Sequence, residues 1–233
     1  MTTELEVKIK EIIPRTYNVK SFRLDIAENI DFKAGQFLSA KLKTQNELKR
    51  YLSISSSSTE GYIEFTKKIT ESEFSKTLDS LRPQDELIVQ YPFGNFTLKD
   101  EYKRIAFLSG GIGITPIRSI CKYAVDKNMG VEIVLLYANR SARDIVFKED
   151  FDSMQKIYPK LKVVHVLSEA SPVLRTAVGR INAQIIKEEV SDYSERKFFI
   201  CGPPAMVEAM KKILNEELAL PNENIITENF QGY

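Results

Sequence analysis

The stretch Ser109-Gly110-Gly111-Ile112-Gly113-Ile114-Thr115-Pro116 decides how this chain is read. An apolar run, residues 105–108, leads into it, and Ile117, Ile120, Cys121, Ala124 and Val125 follow at helical spacing. Strand, glycine turn, helix is the elementary step of a parallel α/β sheet. Thr115 has the chemistry of an N-cap and Pro116 that of a first helical residue. The glycines let backbone approach a ligand closely, and the free N–H groups and dipole of the following helix favour a phosphate. Taken alone, the segment is equally a tight turn that binds nothing. It departs from the six-residue dinucleotide fingerprint, because Thr115-Pro116 stands where a third glycine would follow.

Downstream, apolar runs recur at residues 131–137, 163–167, 198–201 and 225–226, with helical stretches between them. Met206, Met210, Ile213 and Leu214 form a second apolar stripe. Continuous apolar strands alternating with amphipathic helices predict a parallel sheet covered on both faces. A second glycine turn, Cys201-Gly202-Pro203-Pro204-Ala205-Met206, falls on the same carboxyl edge as the first. Cys201 by itself reads as a buried core thiol. The second strand ends in Asn139-Arg140, with no acid to hold a ribose 2′-hydroxyl; the pair suits a 2′-phosphate better, or neither.

Upstream the period shortens to two. Leu5, Val7 and Ile9 alternate with charges, as do Phe22, Leu24 and Ile26; Leu38, Ala40 and Leu42, then Ile63, Phe65 and Lys67, then Leu87 and Val89 continue the pattern. Short one-sided strands predict an antiparallel sandwich or barrel. One interruption is helical, with Phe74, Leu78 and Leu81 on one face and Pro83 at its end. Residues 55–58, all serine, read as a strand end running into a turn. The polar stretch 99–103 marks the expected boundary, giving domains 1–100 and 101–233.

Composition narrows the chemistry. The 33 Lys+Arg and 32 Asp+Glu leave a net charge of +1, so nothing advertises nucleic acid or an anionic membrane. Two cysteines and one histidine are too few for a disulfide framework, a metal site, an iron–sulfur cluster or a multi-histidine haem. No metal is therefore expected, and any redox chemistry must travel on a bound organic cofactor. The polar, acidic N-terminus and the lack of a long apolar run lead to the expectation of a cytoplasmic protein with no membrane span.

In order along the chain, Phe32-Lys33-Ala34-Gly35-Gln36-Phe37, Arg50-Tyr51-Leu52-Ser53, Phe74-Ser75-Lys76-Thr77-Leu78, the two glycine turns, Gly179-Arg180-Ile181 and Glu228-Asn229-Phe230 resemble the motifs of the ferredoxin–NADP reductase superfamily. The resemblance covers nearly the whole chain. It implies a Greek-key antiparallel β-barrel for FAD in residues 1–100, followed by an α/β parallel-sheet domain for a nicotinamide dinucleotide in residues 101–233. It further implies that Arg50 forks the flavin pyrophosphate, with Lys67, Phe74 and Ser75 beside it, and that Tyr51, Leu52 and Ser53 line the flavin, Ser53 near its reactive nitrogen. Gly110, Gly111, Gly113, Thr115, Gly202 and Pro203 would hold NADPH or NADH, and Arg140 and Arg143 the 2′-phosphate that favours NADPH. Cys201 would sit beside the reacting nicotinamide carbon, with Ser53 and Glu228 completing the catalytic set, and Phe230 would stack on the flavin.

Two departures stand out: Leu52 replaces the motif's stacking tyrosine, while Tyr51 belongs on the opposite strand face, and Ser72 replaces the glycine that opens the pyrophosphate helix. The chain also runs on to Tyr233, a rival to Phe230 for the stacking role. The implied function is hydride transfer from NAD(P)H to bound FAD, with electrons passed to a separate acceptor: a ferredoxin, a flavodoxin, an oxygenase component, a quinone or free flavin. The alternative is a non-catalytic flavin-binding electron-transfer subunit or redox sensor of a larger complex.

Overall fold

The computed structural model describes residues 2–26, 31–169 and 177–229. The first sheet holds β1 (Thr3–Thr16), β2 (Val19–Asp25), β3 (Phe37–Leu42), β4 (Lys49–Ser53), β5 (Ile63–Lys68) and β6 (Glu86–Phe93), in the order β4-β3-β6-β1-β2-β5. All its pairings are antiparallel. An isolated bridge between Ile54 and Phe65 draws the two edges together, so the sheet curls into a nearly closed barrel. Alternate residues fill it: Val7, Ile9, Phe22, Leu24, Leu38, Ala40, Leu87 and Val89 are all buried in one core. α1 (Glu73–Ser80) packs Phe74 and Leu78 into that core, and Ser72 caps it by accepting from the Ser75 N–H at 3.3 Å.

The second sheet runs β10-β9-β8-β7-β11-β12, all parallel: β7 (Arg104–Gly110), β8 (Glu132–Asn139), β9 (Leu161–Leu167), β10 (Ala177–Val178), β11 (Lys197–Gly202) and β12 (Ile225–Asn229). α2 (Ile114–Asp126) and α3 (Lys148–Ile157) cover the face carrying Ile105, Phe107 and Tyr137; α4 (Ala183–Glu189) and α5 (Pro204–Lys212) lie over Ala106, Leu108, Phe198 and Ile200. The chain winds from β7 to β8 on one side and reaches β11 on the other. That reversal of winding opens a crevice at the carboxyl ends of β7 and β11. Val19, Ala34 and Phe96 of the barrel join the core that α2 shares with the sheet, so the two halves meet through packed apolar side chains.

One local expectation is corrected. Thr115 is not the N-cap of α2. Gly111–Gly113 tighten into a 3₁₀ turn, the helix begins at Ile114, and the Thr115 hydroxyl instead donates back to the Ile112 carbonyl at 3.1 Å. The serine run follows the end of β4 into a turn, and Ser55, Ser56 and Ser57 are buried there, the Ser55 and Ser56 carbonyls accepting bonds from α2. The two-residue β10 is too short to show any period, which is why the alternation pattern passes over it.

Candidate functional site

Strand register builds the site. Ser109 of β7 pairs with Cys201 of β11, and Cys201 with Glu228 of β12. On the other side Ser109 pairs with Tyr137, and Tyr137 with His165. Neighbours across a sheet share a face, so five polar or ionisable side chains form one row at the carboxyl end, on the barrel side. Three of them carry a buried atom with no hydrogen-bond partner among the described residues: Ser109 Oγ, Glu228 Oε2 and His165 Nδ1. Such atoms cost of the order of 1–3 kcal/mol each unless something meets them. Burial pushes the Glu228 carboxyl up to about 8. It also pushes the Cys201 thiol well up, with the Glu228 charge adding to the rise.

The barrel supplies the facing wall. Ser53, at the end of β4, is buried with its Oγ likewise unpartnered among the described residues. It pairs with Phe37 of β3. A side chain at Gly94 would press on the Phe37 ring at 2.8 Å and come within 3.5 Å of a Glu228 oxygen. Ser53, Phe37, Gly94 and Glu228 are thus one neighbourhood. Tyr51, on the same face of β4 as Ser53, stands exposed and edge-on to Phe37 and Phe93, with centroids 5.7 and 6.0 Å apart. Leu52 turns to the other face and is buried with the barrel core. Phe230 and Tyr233 lie outside the described residues.

Cations gather where Leu52 points. The Arg50 guanidinium lies 5.6 Å from the centroid of the Phe74 ring and donates to the Lys49 carbonyl at 2.8 Å. Lys67 is buried and donates to the Lys68 carbonyl at 2.9 Å; burial, then Arg50 and Lys68, push its ammonium below the ordinary range. Two cations held close enough to repel each other beside the start of α1 make a seat for an anion. Ser75 Oγ lies 3.0 Å from both Thr70 Oγ1 and Ser72 Oγ in that first turn.

On the sheet side, a cleft of about 750 Å³ is lined by Gly110, Gly111, Ile112, Arg140, Arg180, Pro203 and Met206, with Tyr17 and Lys68 from the barrel. Neither α2 nor α5 has a side-chain cap at this edge; the Ile114 N–H turns back to the carbonyls of the Gly111–Gly113 turn, and the Met206 N–H to the Pro203 carbonyl at 2.9 Å. Gly111, at φ +53, has open space where a side chain would go. Gly113 is different: its close neighbour is protein, since an added Cβ would lie 2.3 Å from the Cys201 carbonyl oxygen. Gly202 and Thr115 sit behind this edge, both buried. The Arg140 guanidinium is engaged by Glu169 at 2.7 Å, and Arg143 covers the Tyr17 ring at 5.3 Å. Sequence reading passed over Ser109, because register alone brings it beside Cys201.

A cationic seat at a helix start, hydroxyl and carboxyl groups around a crevice with no partner among the described residues, and two helix starts at a switch-point cleft fit two nucleotide cofactors meeting between barrel and sheet. This defines a two-domain flavin- and nicotinamide-binding oxidoreductase module. The oxidoreductase FAD-binding domain profile matches residues 4–98 and the oxidoreductase NAD-binding domain profile residues 107–212; the chain belongs to the ferredoxin–NADP reductase superfamily. It is 30% identical over 230 residues to an NADH-cytochrome b5 reductase 1 of Dictyostelium discoideum, covering 94% of this chain and 80% of that one. It is 31% identical over 220 residues to a glycine betaine monooxygenase reductase subunit of Pseudomonas aeruginosa, covering 89% of this chain and 59% of that protein. The chain thus spans less than two thirds of the latter's length. A ferredoxin NADP+ reductase of Neisseria gonorrhoeae, solved with FAD and NADP bound, superposes with a TM-score of 0.83 at 20% identity, over 98% of this chain and 99% of that one. No helix among the described residues is long and apolar enough to cross a membrane.

Proposed function

We propose that this chain is an NAD(P)H-dependent flavin oxidoreductase that passes electrons to a separate acceptor. Three buried groups without a partner among the described residues, Ser53 Oγ, Ser109 Oγ and Glu228 Oε2, on the facing walls of one crevice carry this reading. When bound, the nicotinamide and FAD supply the hydride transfer and the onward electron transfer. The protein's part is to seat and align them. Arg50, Lys67 and the first turn of α1 at Ser75 hold the flavin pyrophosphate through charge and N–H donors. Ser53 meets the polar edge of the ring and Tyr51, on the same face of β4, gives it an aromatic contact, while Leu52 supports the strand from the barrel core.

Glu228, with its carboxyl raised to about 8, stays protonated at neutral pH and presents an O–H to the crevice without adding a charge there. The edge where α2 and α5 begin, with Gly111, Gly202 and Pro203, takes the second nucleotide. Cys201 gives it a soft, uncharged neighbour. Because Glu169 already engages Arg140, NADH is expected to serve at least as well as NADPH. Both groups of that pair are well exposed, so the preference is small.

The domain boundary falls between β6 and β7, near residue 100. The acceptor is a separate redox protein, as the names of the monooxygenase reductase subunit and the cytochrome b5 reductase suggest by analogy. The two buried, unpaired thiols, Cys121 and Cys201, suit a reducing, cytoplasmic setting.

The test is direct. Purified protein loaded with FAD is yellow, and anaerobic NADH or NADPH bleaches it within seconds. A yellow protein that neither donor bleaches refutes the reading in favour of a flavin-holding subunit.

A further inference from the structure

α2 does more than begin at the dinucleotide cleft. One turn in, at Arg118, it reaches across to the barrel. The guanidinium is buried and all five of its N–H donors are used. Nε and Nη2 donate to Asp150 Oδ1 at 3.1 and 2.7 Å, Nη2 also to Glu60 Oε1 at 3.0 Å, and Nη1 to Glu60 Oε2 and to the Ser55 carbonyl at 3.2 Å. Ser119, the next residue, donates to the Ser56 carbonyl at 2.5 Å. Glu60 is held from the barrel side by the Ser57 N–H at 2.7 Å and the Tyr62 hydroxyl at 2.8 Å. Asp150, on α3, lies 3.8 Å from Arg15, whose other nitrogen meets buried Glu64 at 3.0 Å. The Arg15 and Arg118 guanidiniums both lie over the Phe147 ring, at 4.9 and 5.6 Å from its centroid.

The sequence distances give this network its meaning. Ser55 stands two residues beyond Ser53, and Arg118 three beyond Thr115. The Arg118–Ser55 contact is therefore a short physical route from the flavin-facing strand to the nicotinamide-facing loop. A buried charge network holds one geometry more tightly than apolar packing does, yet adds little net stability over it. Transfer between two bound rings is sensitive to misplacement on the ångström scale. We propose that Arg118 is a positioning residue for the step between the two cofactors: its fork on Glu60, Asp150 and the Ser55 carbonyl sets the nicotinamide loop against the flavin strand. The inference rests on the flavin-oxidoreductase reading above and adds a residue that touches neither cofactor.

The experiment compares FAD-loaded wild type with Arg118→Met, Arg118→Lys and Glu60→Gln in anaerobic stopped flow against NADH. The limiting rate of flavin bleaching should fall at least tenfold in Arg118→Met, and three- to tenfold in Arg118→Lys and Glu60→Gln. The long-wavelength charge-transfer absorbance of the stacked rings should weaken in parallel. Flavin dissociation, NAD+ affinity and full reduction by dithionite should stay within twofold of wild type. An unchanged limiting rate and charge-transfer band in Glu60→Gln and Arg118→Lys overturns the proposal, even if Arg118→Met fails to fold. Rate losses that merely track flavin loss also overturn it, by reducing Arg118 to a structural role. A wild type that neither NADH nor NADPH bleaches is a different failure: it removes the parent reading and the inference with it.

Discussion

Replacing Glu228 by glutamine tests the electrostatics of the crevice. Burial lifts the carboxyl to about 8 from an ordinary 4.5. At about 1.4 kcal/mol per factor of ten, the ionised form costs up to about 5 kcal/mol more in the fold than in the unfolded chain. Between about pH 4.5 and 8 the folded protein keeps a proton that the unfolded chain has released. Wild-type stability must therefore fall as pH rises through that window and level off above it. Glutamine has nearly the same shape and no proton to lose, so Glu228→Gln lacks this slope. Urea unfolding followed by circular dichroism from pH 5 to 9, with identical cofactor loading, measures the difference. The variant should gain on wild type by several kcal/mol across the range, equivalent to roughly 2–4 °C in Tm per kcal/mol for a chain of this size. Parallel pH curves would show that Glu228 ionises like an exposed carboxylate, and the burial argument would be wrong.

Other substitutions probe the seats one at a time. Arg50→Ala removes a charged fork worth roughly 1.5–3 kcal/mol to an anion, so FAD should dissociate about 10–100-fold more readily in equilibrium dialysis, with the fold intact by circular dichroism. Cys201→Ala should slow anaerobic bleaching by NADH while FAD stays bound, because Cys201 lies two residues before Pro203 of the cleft lining and away from the cationic seat. Gly35 adopts φ +98, and an added Cβ would sit 2.0 Å from the Phe96 carbonyl oxygen and 2.9 Å from Ile120 Cδ1 of α2. Gly35→Ala should then cost at least about 3 kcal/mol, read as a drop in Tm of roughly 6 °C or more.

What could be read from residues alone follows from the range of the signal. Period-two strands and strand–turn–helix steps are local patterns, so both sheets were visible, as were the turns at Gly110 and Gly202. Glu228 and Cys201 could be named singly, but their adjacency to Ser109 depends on the register of three parallel strands, which no local pattern encodes. The Arg118–Glu60 pair joins residues 58 positions apart; in the sequence Arg118 only interrupts an apolar stretch. Thr115 has the type that suits a cap, but the 3₁₀ turn at Gly111–Gly113 starts the helix at Ile114, two residues sooner than a Thr115 cap would. The pairing of Arg140 with Glu169 was hidden for the same reason as Ser109, since it joins the ends of adjacent strands.

The enclosed thiol beside the cleft has a consequence for life in air. A sulfur that keeps its proton is a poor nucleophile, and Cys201 is both covered by its surroundings and pushed towards the protonated form. Peroxide made when a reduced flavin meets oxygen would find no thiolate there to attack. Iodoacetamide should likewise leave Cys201 unlabelled until the fold opens. Under the proposed function, the fold would thus keep this polarizable atom near the reacting rings and shielded from oxidative damage.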